Sequence, residues 1–124
     1  MGEIRQSVTI QGMKGSARVN ALLDSGAQVS ILKYSIASKI ELTATPYIKI
    51  IASDGDVELG YPLQLFVKIH NRLSKVNVIV IKKISDDLIL GQDYLQMNHV
   101  ILDFNNDKIK LGVGQPRVRK SYRV

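Results

Sequence analysis

A chain of 124 residues is long enough for one domain and too short for two of ordinary size. Hydrophobic residues make up 45% of it, but with two Phe and no Trp the core has to be built from Ile, Leu and Val, and with no cysteine there is no disulfide framework and no thiolate metal site, as suits a reducing compartment. The net charge of +6 points towards nucleic acid less than it first suggests: Arg117, Arg119, Lys120 and Arg123 fall in the last ten residues, which leaves 13 cations against 11 anions on the rest.

In chain order, residues 4–11 and 17–23 are alternating or apolar runs separated by Gly12-Met13-Lys14-Gly15, which predicts a hairpin. Residues 29–32 read as a further short strand, and residues 34–39 have room for one helical turn. Residues 47–52 and 57–59 flank Ser53-Asp54-Gly55-Asp56, and Asp-Gly between strands is a strong two-residue hairpin signal. Residues 63–69 and 75–81 are strands joined around His70-Asn71-Arg72. Residues 92–97 form the one clear helix, and residues 100–104 and 108–111 a last hairpin over Asn105-Asn106-Asp107. Many short strands with regular turns predict an all-β, closed architecture with one short C-terminal helix. Gln115-Pro116 marks the boundary between a domain over residues 1–114 and a basic tail or linker over residues 115–124. No apolar run approaches the ~18 residues of a membrane span. The N-terminus lacks a signal peptide's apolar stretch and the hydroxyl residue needed to myristoylate Gly2.

The most informative stretch is Leu22-Leu23-Asp24-Ser25-Gly26-Ala27, an apolar strand that runs into a carboxylate, a small hydroxyl residue and a glycine. Asp-Ser-Gly alone is also a common turn. A second site changes its weight: in Leu88-Ile89-Leu90-Gly91-Gln92-Asp93-Tyr94-Leu95 an aliphatic run again ends in glycine before a helical segment. Residues 19–32 and 78–97 thus read as two versions of one unit, with the carboxylate in only the first, and such duplication is a rarer coincidence than a lone turn.

Together these residues resemble the retroviral-type aspartic peptidases, the retropepsins, and most closely their Ty3/gypsy-like retrotransposon and endogenous-retrovirus branch. His99-Val100-Ile101-Leu102-Asp103-Phe104 and Lys108-Ile109-Lys110-Leu111 extend the likeness, which covers about residues 4–112. It implies a retropepsin-like closed β-barrel, active as a homodimer. Hydrolysing a peptide bond with neither metal nor covalent nucleophile takes two carboxylates that share one proton. The chain offers one such aspartate, Asp24, so the second must come from another copy across a two-fold axis.

By the same resemblance Ser25 locks the two turns together, Gly26 lets its N–H approach the carboxylate, and Ala27 keeps the cleft floor small. Leu90, Gly91 and Gln92 form the second-site turn. Residues 48–59 would be a flap over the substrate, with Ile50, Ile51, Ala52, Ser53, Asp54 and Gly55 as substrate-binding residues beside Gln28; taken alone, its Asp-Gly is also an ordinary surface turn. Where many retropepsins place an aspartate and an arginine, this chain has Gln28 and Gln92, and two amides that bond each other are the expected replacement for that ion pair. Two copies are expected to interleave through their ends, residues 2–8 and 108–116.

The expected activity is aspartic endopeptidase (EC 3.4.23.-), acting on extended polypeptide and by resemblance on the Gag-Pol-type polyprotein that contains it. The alternative is a catalytically silent module of the same fold, kept for dimerisation or peptide binding. No cofactor is expected, and no metal, since His70 and His99 have no Cys or carboxylate at ligand spacing. No membrane partner is expected, and nucleic acid only through the basic tail. The implied setting is intracellular, in the cytoplasm or within a virus-like particle.

Overall fold

A computed structural model of the chain describes residues 3–40, 48–51 and 57–112. Strand β1 (Glu3–Gln11) pairs antiparallel with β2 (Ser16–Asp24) along its whole length, from Glu3 opposite Asp24 to Gln11 opposite Ser16. The alternation is physical: Ile4, Val8 and Ile10 are buried while Glu3, Arg5 and Gln11 face solvent. The connecting loop closes through Gly12 N–H donating to the Gly15 carbonyl at 2.9 Å.

Strand β3 (Ser30–Lys33) leads into helix α1 (Tyr34–Ile40). This helix runs to seven residues, longer than the single turn its sequence suggests, because Ile36, Ala37 and Ile40 share one face and are all buried. Strand β4 (Ile48–Ile51) pairs with the start of β5 (Val57–Ile69), which is continuous over thirteen residues. The expected break around Gly60-Tyr61-Pro62 is absent. Pro62 lies past the stretch that pairs with β4 and before the stretch at Phe66–Lys68 that pairs with β1, so β6 flanks it on one side only. A missing N–H is tolerated at such a half-open position.

A two-residue turn at His70 and Asn71, both with positive φ, joins β5 to β6 (Arg72–Ile81). There follow β7 (Leu88–Leu90), α2 (Gln92–Met97), β8 (Val100–Asp103) and β9 (Lys108–Leu111). The strands β1, β2, β7, β3, β6 and β5 form a ring that closes when β1 pairs back onto β5, with β4 attached outside it. This is a closed barrel, filled by Leu23, Leu32, Leu65, Val78, Leu88 and Leu90 among others. No described helix is long and apolar enough to cross a membrane.

The β8–β9 hairpin stands outside the ring as a separate two-stranded sheet. Arg72 ties its stem to the barrel: the guanidinium donates to the Asn98 carbonyl at 3.0 Å and also to the Gly112 carbonyl. Gly112 N–H in turn donates to the His99 carbonyl at 2.8 Å, and a Cβ at position 112 would lie 2.5 Å from that of His99. The Ser74 hydroxyl donates to Asn98 Oδ1, and Asn98 Nδ2 to the Tyr94 carbonyl at 3.1 Å.

Among the described residues these bonds leave one orphan. The Tyr94 hydroxyl is buried without a hydrogen-bond partner. Burial pushes its ionisation up to about 12, against the lowering pull of the Arg72 charge and the Ser74 hydroxyl. An unfolded chain ionises its tyrosines near 10.0, so between the two values the folded state holds a proton the unfolded state has lost, and stability falls as pH rises. Tyr94→Phe is therefore expected to leave stability unchanged or raise it by about 1 kcal/mol at neutral pH. It should also make the loss of stability between these two pH values shallower, as read by urea unfolding.

Candidate active site

The apolar strand β2 ends at Asp24, where the chain must turn. Ala27 N–H donates to the Asp24 carbonyl at 3.1 Å, closing the turn, and Gly26 N–H donates to the Asp24 side chain (Oδ1) at 2.8 Å. A Cβ on Gly26 would stand 3.2 Å from that same oxygen, so glycine is what gives the carboxylate room to meet the backbone. Asp24 is half-buried: one oxygen is held by the turn, and its flanks are Ser25 and the exposed Gly26.

What lies beneath this turn fixes it. Strand β7 runs parallel to β2 (Ala21 opposite Leu88, Leu23 opposite Leu90) and antiparallel to β3 (Ile31 opposite Ile89), so it is threaded between the strand that enters the turn and the strand that leaves it. The turn has to arch over the end of β7, where Gly91 sits. A Cβ on Gly91 would fall 2.7 Å from both the Ala27 and the Val29 carbonyl oxygens.

The two turns are then laced together. Gln92 N–H donates to the Ala27 carbonyl at 2.8 Å, Asp93 N–H to the Gln28 carbonyl at 3.3 Å, and the Gln92 amide Nε2 to the Ser25 carbonyl at 2.8 Å. Ser30, 0% exposed, completes the lacing: its hydroxyl donates to Asp93 Oδ1 at 2.7 Å and accepts from Gly91 N–H at 3.1 Å, while its own N–H donates to Asp93 Oδ2 at 3.0 Å. Asp93 Oδ1 also accepts from Tyr94 N–H at 2.7 Å, in the first turn of α2.

Most of the expected site residues are thus neighbours. Ser25, Ala27, Gly91 and Gln92 meet at the interlock, with Leu90 buried just beneath. One expectation is corrected: Gln28 and Gln92 do not bond each other. The Gln28 side chain is exposed, and the Gln92 amide reaches back to the Ser25 carbonyl of its own chain. Ile50 and Ile51 lie on β4, opposite Glu58 and Val57 of β5; Ala52, Ser53, Asp54 and Gly55 lie outside the described residues. Ser30 and Asp93 are site residues that the expectations above do not include; an acid two residues after a strand-ending glycine is the available signal. Among the described residues no three His, Asp or Glu gather as a metal site would require. A groove of about 490 Å³ runs from Ser25 and Gln92 past Leu95 to Val100, Leu102 and Phe104.

In sequence, residues 8–97 match the family described as gag-polyprotein putative aspartyl protease. The chain belongs to that family. No curated protein matches it in sequence. Three solved structures place this member of the family among known folds. The retroviral protease-like domain of Ddi1 from Leishmania major superposes with a TM-score of 0.68 at 20% identity, over 87% of this chain and 88% of that one. The EIAV protease complexed with the inhibitor HBY-793 gives 0.61 at 24% identity, over 77% and 86%. A retropepsin-like aspartic protease from Rickettsia conorii gives 0.61 at 19% identity, over 82% and 77%. At these identities the likeness is one of fold, and the fold is that of the retropepsins.

The interlock makes its own forecast. Gly91→Ala drives a methyl into two backbone carbonyls that cannot yield, and is expected to cost at least about 2 kcal/mol. Ser30→Ala removes one of three donors to Asp93 and leaves the Gly91 N–H without its acceptor, and is expected to cost about 1–3 kcal/mol. Both losses are read from denaturant unfolding, and a Gly91→Ala protein as stable as the parent would contradict the geometry.

Proposed function

We propose that this chain is a homodimeric aspartic endopeptidase in which Asp24 of one copy meets Asp24 of a second. The observation that carries the reading is the Asp24 turn: a single half-buried carboxylate at a strand end, one oxygen held by the Gly26 N–H, in a chain of an aspartyl protease family. Two such carboxylates held close share one proton and titrate as a pair. The ionised one takes a proton from a bound water as the water oxygen attacks the scissile carbonyl carbon. The protonated one gives its proton to the carbonyl oxygen. The tetrahedral species then breaks its C–N bond as a proton reaches the amine nitrogen, and the pair again holds a single proton. Ser25, Gly26 and Ala27 keep the turn's shape; they do not react.

In this reading substrate lies extended across the turn as an added strand, with main-chain hydrogen bonds for affinity and side-chain pockets for selectivity. Gln28, exposed beside the turn, and residues 50–55 are the proposed substrate contacts. The proposed substrate is a Gag-Pol-type polyprotein, as the family's description suggests. A substrate outside any Gag polyprotein is the second reading, favoured by the likeness to a domain of Ddi1. Residues 115–124 are proposed as a tail dispensable for catalysis.

The expected result is cleavage of a peptide library with a bell-shaped dependence on pH, inhibition by pepstatin-like compounds, and a fall of at least about a thousandfold in kcat/KM for Asp24→Asn with the fold intact. A strictly monomeric protein that still cut peptides, or an Asp24→Asn protein of unchanged activity, would falsify the reading. A well-folded dimer that cuts nothing in the library would favour the silent module instead.

A further inference from the structure

We propose that the outer face of strands β2, β1, β5 and β6 binds single-stranded nucleic acid, through cations that take its phosphates and an aromatic ring that takes a base. The face is separate from the Asp24 turn. Arg18 stands six residues before Asp24 on β2, about 20 Å along the strand. Nucleic acid is thereby placed on the barrel, where the sequence allowed it only on the tail.

The strand registers assemble this face row by row. Arg18 lies opposite Thr9, Thr9 opposite Lys68 and Lys68 opposite Leu73, so one row crosses all four strands. The next row, two residues on, is Ser16, Gln11, Phe66 and Lys75. Side chains directly opposite each other, and those two apart on one strand, share a face. The intervening Val8, Ile10, Val67 and Val76 are buried, so both rows look outward.

Two features set this face apart from an ordinary solvated one. Its charges have one sign: neither row holds an acid. Among the described residues Arg18 and Lys68 have no carboxylate partner, whereas Arg5 on β1 pairs with Asp86. Two acids sit at the margins, where Asp87 accepts the Asn20 N–H and Asp93 shares a small recess with Lys75. Cations set on either side of one strand repel each other, and an anion laid between them relieves the repulsion. The second feature is Phe66, 41% exposed at an outward position of β5 where its neighbours Gln64 and Lys68 are polar.

Arg18 is preset for an oxyanion. Its Nε donates to the Ser7 hydroxyl at 3.0 Å, which leaves both terminal nitrogens of the guanidinium without a partner among the described residues. They can fork onto a phosphate. A recess of about 330 Å³ opens beside them, between Arg18, Ser7 and Thr9 on one side and Lys68, His70 and Asn71 on the other. Phe66 lies one two-residue step from Lys68, about 7 Å away. A nucleotide brings a phosphate and a flat base together, and any base can stack on an aromatic ring. A duplex keeps its bases stacked on one another, and a phosphorylated peptide carries no obligatory ring. The pairing of cations with Phe66 therefore selects the single strand.

Fluorescence anisotropy of the full chain with a labelled oligouridylate of about 12 nucleotides tests this at about 50 mM salt. Binding in the micromolar range is expected, weakening as salt rises. Arg18→Gln combined with Lys68→Gln should weaken it at least about tenfold. The same pair should lower the slope of log affinity against log salt by about 1.4, the share of two phosphate contacts to a single strand. Phe66→Ala should weaken binding about tenfold with the slope unchanged, and Phe66→Tyr, which keeps the ring, should bind as the parent does. Misfolding would not divide the effects in this way. Neutralising the tail, with Arg117→Gln, Arg119→Gln, Lys120→Gln and Arg123→Gln together, should leave most of the affinity. A parent that does not bind overturns the proposal, as does affinity that survives the Arg18/Lys68 double change and vanishes with the tail's charge. Parental affinity in Phe66→Ala, or a duplex bound as tightly as the single strand, also overturns it. A phosphoserine peptide that binds more tightly than the oligouridylate would give the face to a protein partner instead. None of these outcomes bears on the peptidase reading, which rests on Asp24.

Discussion

The constraint on which the rest depends is the threading of β7 between β2 and β3. Two strands that are consecutive in the chain are kept from pairing by a third, so the segment that joins them must arch over the intruder's end. The arch is the Asp24 turn, and the surface beneath it is the Gly91 backbone, with two carbonyl oxygens 2.7 Å from where a side chain would begin. A turn free in solvent would sample many shapes. This one is pressed on a strand end and laced to it by hydrogen bonds from Gly91, Gln92 and Asp93, which is the kind of rigid support a reacting carboxylate needs.

Much of this was legible in the sequence because it leaves short-range marks. Alternating Ile and Val along residues 4–11, the Gly-rich loop over residues 12–15 and Asp24-Ser25-Gly26 each announce local structure through burial period or φ freedom. The repeated strand–glycine unit named both halves of the interlock, 67 residues apart for Ser25 and Gln92. What was not legible is whatever depends on which strand lies beside which. Residues 57–69 looked interrupted because Gly60 and Pro62 usually end strands, and only the one-sided environment of Pro62 explains their continuity. The Gln28–Gln92 pairing is an expectation from a substitution pattern, but the Gln92 amide donates to the Ser25 carbonyl instead. Ser30 and Asp93 carry no mark of their part in the sequence, because only the fold brings them together.

The molecule also divides its labour. The barrel ring is closed and holds a continuous apolar core, so its fold does not call for a partner. The hairpin is the opposite case: anchored at its stem through Arg72, packed inward through Val100, Leu102 and Leu111, and with Ile101 exposed on the outside beside Lys108 and Lys110. Anchoring of this sort separates two tasks that compete in a small protein. Folding needs apolar surface buried within the chain, and association needs apolar surface left over. A stem fixed by hydrogen bonds to carbonyls holds the leftover surface in place without burying it.

The two glutamines bear on how the interlock responds to its surroundings. An ion pair spanning positions 28 and 92 would tie the two turns through charge, and its strength would vary with salt and with the titration of its acid. Here the link from Gln92 is a neutral amide on a neutral carbonyl, and the links on either side are backbone N–H groups on backbone carbonyls. Among the described residues, the donors to the Asp93 side chain are uncharged groups: the Ser30 hydroxyl and N–H and the Tyr94 N–H. The bonds that tie Gln92 to the Asp24 turn thereby run between uncharged groups.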